Sequence, residues 1–93
     1  MKKIWGLVFE VDPVDKNKLG SWWLGECYES QEDAIEFVKR EFPNFICVSS
    51  NSCIHYTGIL EKPIDWYKKP LGERGDKLDI YIDFSYLYEP KGS

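Results

Sequence analysis

No stretch of this chain approaches the ~18 consecutive apolar residues that a membrane-spanning helix needs, so it is not expected to enter a bilayer. Basic residues are in deficit, with 12 Lys and Arg against 16 Asp and Glu and a formal net charge of -4. Affinity for phosphate comes mainly from Lys and Arg, so this balance argues against direct nucleic-acid binding. Cysteines are three, Cys27, Cys47 and Cys53. A secreted domain of this size more often carries an even set stapled as disulfides. The start of the chain has two lysines and an apolar run from Ile4 to Phe9, but Glu10 and Asp12 follow with no small-residue cleavage site. That is not the pattern of a secretory leader. A cytoplasmic protein with reduced thiols is expected. There is no internal repeat or low-complexity tract, and Gly72-Glu73-Arg74-Gly75 lacks the spacing of a phosphate-binding loop.

One absence is local and more informative. Between Leu19 and Lys39 there is no Lys or Arg, while Glu26, Glu29, Glu32, Asp33 and Glu36 fall inside that span beside Trp22-Trp23. A patch of one sign flanked by aromatic rings suits a positively charged partner: charge steers the encounter and the rings supply desolvated contact area. Ordinary helix design explains part of the cluster, because Glu32 and Asp33 fall where a helix macrodipole favours acids.

What is present suffices for one folded domain spanning residues 1–93. The chain is 43% hydrophobic with fifteen Phe, Trp and Tyr, each able to bury on the order of 150–250 Å². Residues 3–12 are rich in β-branched and aromatic types and stop at Pro13, which reads as an interior strand. Turn chemistry in 13–20 and a return strand over 21–28 complete a hairpin. Ser30 and Asp33 form a capping-box pattern for a helix over 30–42, ended by Pro43. Its apolar face is Ala34, Ile35, Val38 and Phe42, and Glu36 and Arg40 have pairing spacing. Strands are expected at 45–49 and 53–60 around Ser50-Asn51-Ser52. Segment 61–77 reads as a long loop, a length at which loops are often functional. Residues 78–88 alternate almost strictly, with Leu78, Ile80 and Ile82 on a buried face and Asp79, Tyr81 and Asp83 on a solvated one. Residues 89–93 read as a frayed tail. The predicted fold class is α+β: an antiparallel sheet of about five strands in ββαβββ order, with one helix packed on one face.

Few constellations carry chemistry. Cys53 and His55 are two apart on a strand and share a face, which suits a thiolate activated by imidazole. No third orienting group stands at a recognisable spacing, and free Cys commonly fills core. Cys27, Cys47, Cys53 and His55 add up to a zinc ligand inventory without knuckle spacing. Asp79 and Asp83 are roughly 13 Å apart from strand rise alone, too far for joint acid–base work. Trp66, Tyr67 and Lys68 are contact candidates in the loop.

The first expectation is therefore a non-catalytic interaction protein with no cofactor and no metal. It would be an inhibitor or neutraliser of the immunity, antitoxin or phage anti-defence type, blocking a basic surface of a nuclease or nucleic-acid-binding protein. Its contacts would come from Trp22, Trp23, Glu26, Glu29, Glu32, Asp33 and Glu36, or alternatively from Asp79, Tyr81 and Asp83. A second reading is a small enzyme or ligand-binding domain using Cys53, His55 and the 61–77 loop. A third is a structural or assembly subunit, such as a homodimer, that pairs through a sheet edge, with the last strand the favoured edge.

Overall fold

A computed structural model describes residues 2–48, 54–66 and 69–87, with the backbone alone described at 2, 3, 23, 65, 66, 69–71 and 84–87. The elements run β1 (Lys2–Asp12), β2 (Ser21–Tyr28), α1 (Gln31–Glu41), β3 (Ile46–Cys47), β4 (Ile54–Ile59), β5 (Ile64–Trp66), β6 (Lys69–Leu71) and β7 (Lys77–Leu87). The main sheet has five strands in the order β2-β1-β7-β4-β3, every pair antiparallel. β5 and β6 form a separate two-stranded ribbon. The expected α+β architecture is the one observed.

β1 pairs along its whole length with β7, from Lys2 opposite Leu87 to Asp12 opposite Lys77. Alternation then sends Leu7, Phe9 and Val11 to one face together with Leu78, Ile80 and Ile82, all six at most 3% exposed. Each such side chain contributes about 1.5–3 kcal/mol by leaving water. The helix covers this face. Ser30 caps it, its hydroxyl oxygen accepting from the Asp33 N–H at 3.2 Å, and the Phe42 N–H closes it on the Val38 carbonyl at 2.8 Å. Ala34 and Val38 are fully buried, and Ile35, Phe37 and Phe42 pack at the margin. Arg40 does not take the predicted partner Glu36. Its Nε lies 3.7 Å from Glu41, and its guanidinium rests over the Phe37 ring.

Two glycines are fixed by close approach rather than by turns. Gly6 pairs with Cys27 and Val8 with Leu24, so Gly25 and Glu26 both stand opposite Leu7 in a bulge. A Cβ on Gly25 would sit 2.5 Å from the Phe9 ring. A Cβ on Gly58 would likewise meet the Phe45 ring, which lies over the β4 backbone.

Three sequence expectations change. Segment 61–77 is not a structureless loop: it contains the β5–β6 ribbon, with Asp65 opposite Pro70. Proline donates no hydrogen bond and is tolerated on such edges, which hid the strands from a pattern search. The return from β6 is fixed by Asp76, only 3% exposed, whose carboxylate accepts from the Val14 N–H at 3.0 Å and the Glu73 N–H at 2.8 Å. The strand expected at 45–49 is only Ile46–Cys47. The last strand, favoured above as a pairing edge, is the centre of the sheet, and the outer strands are β2 and β3.

Candidate protein-binding face

The helix covers one side of the sheet, and the other side displays the opposite parity of every strand. Register places Trp22, Glu10, Asp79, Thr57 and Ile46 in one row that crosses all five strands. A second row holds Leu24, Val8, Tyr81 and His55. Asp83 follows beside Gly6 in the next row. Trp22 is 66% and Leu24 67% exposed at one margin, while Ile46 and Val48 are exposed at the other. Two side chains on this face, Trp22 and Tyr81, are of the aromatic types enriched at protein interfaces.

The centre of this face is built rather than merely solvated. His55 Nε2 lies 2.7 Å from Asp79 Oδ1, and the His55 ring stacks on Tyr81 with centroids 4.4 Å apart and planes 17° apart. Thr57 also hydrogen-bonds the Asp79 carboxylate, and Lys77 Nζ stands 4.0 Å from it. Burial opposes ionisation of Asp79, but the hydrogen bonds from Thr57 and His55, with the Lys77 charge, more than offset it. The carboxyl is held below its ordinary range. Asp79 is therefore a buried carboxylate, 8% exposed, and not the solvated side chain expected from alternation. Its neighbours His55, Tyr81 and Lys77 are long enough to cover it.

The predicted acidic cluster divides. Trp22 lies on the open face next to Glu10, whereas Glu32, Asp33 and Glu36 are exposed on the helix, in the layer on the other side of the sheet. Glu26 is exposed in the β2 bulge and Glu29 is exposed between β2 and α1. Burial raises the Tyr28 hydroxyl pKa, and the nearby Glu26 and Asp33 carboxylates raise it further, which places those two acids around the end of β2. Trp23 is opposite Phe9 in register. The side chain of Trp66, and Tyr67, Lys68 and Cys53 altogether, lie outside the described residues. Asp83 and Tyr81 join Trp22 on the open face. Glu10 and the His55–Asp79 pair were missed, because β1, β4 and β7 become neighbours only through the strand order.

Two of the cysteines in the zinc inventory separate as well. Cys27 and Cys47 stand on the two opposite edge strands, four interstrand spacings apart or about 19 Å. They cannot ligate one zinc ion. A groove of about 460 Å³ does open beside residues 60–64, walled by Phe37, Phe42 and Phe45. It lies on the helix side of the sheet and His55 on the other, so the two do not form one pocket.

Among the described residues no helix is long and apolar enough to cross a membrane. No family model matches this chain, and neither a curated protein nor a solved structure does.

Proposed function

We propose that this chain is a non-catalytic, cytoplasmic interaction protein that blocks a basic surface on a partner protein, with the open sheet face as its contact surface. The observation that carries this reading is the row Trp22, Glu10, Asp79, Thr57 and Ile46, in which exposed apolar ends flank carboxylates on a rigid sheet. Trp22 and Tyr81 supply the aromatic anchors. Glu10 and Asp83 supply charge that a basic surface complements, while Asp79 holds His55 and Tyr81 in place. Rigid aromatic anchors surrounded by acids favour fast, salt-sensitive association with a cationic patch. A nuclease or nucleic-acid-binding protein offers such a patch, since it must itself attract phosphate. A role of the immunity, antitoxin or phage anti-defence type follows from that choice of target.

The test is recovery of the partner on tagged protein in its native host at low and high salt, with Trp22→Ala and Glu10→Lys as comparison baits. A basic protein recovered in stoichiometric amount at low salt, shed at high salt and lost from both variants is the expected result. Truncating an anchor tryptophan should weaken binding by roughly thirtyfold or more. Capture that ignores salt, or that both variants retain, would overturn this assignment.

A further inference from the structure

The two edges of the main sheet are treated very differently. β3 is two residues long, whereas β2 runs for eight, about 26 Å of strand. Alternate residues of an edge strand turn their N–H and C=O groups outward, and natural proteins guard such edges with lysine, proline, bulges or brevity. β2, Ser-Trp-Trp-Leu-Gly-Glu-Cys-Tyr, has neither Lys nor Pro, its one charge is Glu26, and its bulge is confined to Gly25 and Glu26, so that Ser21 to Leu24 run in regular register. Among the described residues no strand pairs with its outer side, and Trp22 and Leu24 stand exposed on it. An edge this long and apolar is built to be covered.

The surrounding charge selects what covers it. Glu26 lies in the strand, Glu29 follows it, and Glu32 and Asp33 open the helix, with no Lys or Arg between Leu19 and Lys39. Arg40, in the last turn of the helix, is paired to Glu41 and rests over Phe37. A second copy docking β2 against β2 would bring no cation to the seam, since the strand has neither Lys nor Arg, and Glu26 would gain no opposite charge. A basic strand meets the same groups with opposite charge.

We infer that the outer edge of β2 accepts an extended, lysine- or arginine-rich segment of the partner as a sixth strand, main-chain hydrogen bonds giving affinity and the acids giving selectivity. This rests on the reading above for the basic character of the partner, and it adds the mode of recognition. The incoming segment would run beside Trp22 and Leu24, so one partner would engage both the edge and the open face.

The probe is a peptide of β2's own length, eight residues, alternating Lys and Val, added to isotope-labelled full-length protein and followed by amide exchange and backbone shifts. Protection of alternate amides within 21–28 is expected. N-methylation along one peptide edge should abolish binding. A Glu/Val peptide, or Glu26→Lys in the protein, should weaken it by about tenfold or more. Peptide binding that shifts Val8 and Tyr81 but leaves the β2 amides unprotected overturns the edge inference and leaves the open-face reading standing. So does an absence of peptide binding, since partner capture through Trp22 and Glu10 is measured separately. Protection of β2 without peptide, together with a dimer mass in solution, overturns it in favour of a second copy.

Discussion

The two faces of the sheet are made by the same strands and differ only in parity, yet they are built to different rules. On the helix side Leu7, Phe9, Val11, Leu78, Ile80 and Ile82 exclude water almost completely. On the open side Trp22, Leu24 and Ile46 remain exposed, and among the described residues there the one best shielded from water is a carboxylate. One face holds the fold together by burial that needs no direction. The other holds a few groups in fixed positions by directional bonds, Asp79 to His55 and Thr57 and His55 against Tyr81. Covering a face stabilises the chain, and leaving the opposite face open preserves a surface with something to offer.

The largest expected effect breaks the covered face. Phe9→Ala should cost about 3–5 kcal/mol, read from urea unfolding, because the ring is fully buried against Gly25 and Phe42. Trp22→Ala on the other face should change stability by no more than about 0.5 kcal/mol while abolishing partner capture. If Trp22→Ala destabilises as much as Phe9→Ala, the two faces do not divide the work as described.

Asp79→Ala should fall between them, at about 1–3 kcal/mol, since it leaves His55 and Thr57 without their acceptor in a shielded site. The pH dependence follows from the direction of the Asp79 shift. Its folded pKa lies below its unfolded value, so its stabilisation is fully present above the unfolded value near 3.9 and disappears as pH falls through the folded one. The stability gap between wild type and Asp79→Asn should therefore be widest at neutral pH and close in acid. A gap that stays constant down to strong acid would place the stabilisation in packing instead.

Ser30→Ala should cost about 1 kcal/mol, by loss of the acceptor for the Asp33 N–H. The smallest effect is spectroscopic. Burial raises Tyr56, helped by its hydrogen bond to Cys47, and raises Tyr28 as well. In alkaline difference spectra both phenols should ionise above the ordinary value near 10. Because the folded state keeps the proton longer, these groups stabilise fully below the unfolded pKa and lose that contribution as pH rises beyond it.

Local signals in the sequence described most of the elements. The β1–β2 hairpin follows from two strand patterns around turn residues, the helix from Ser30 and its periodic apolar face, and β7 from its alternation. The site was far less legible. Alternation says that Asp79, Tyr81 and Asp83 share a face, but not that β4 brings His55 over Asp79 or that β1 brings Glu10 and Trp22 into line. Nor does proximity in sequence survive folding: Trp22 and Glu32 are ten positions apart, yet they belong to layers on opposite sides of the sheet. The β5–β6 ribbon escaped because its strands are three residues each and Pro63, Pro70 and Gly72 around them match loop chemistry better than strand chemistry.

The central place of β7 has a consequence for how the protein is made. During synthesis the β1–β2 hairpin and the β4–β3 pair emerge first, and neither touches the other until residues 77–87 slide between them. A chain that stops before Lys77 lacks the one strand that pairs with both β1 and β4. Contacts between β1 and β7 join the two ends of the chain, the kind of long-range pairing that slows folding.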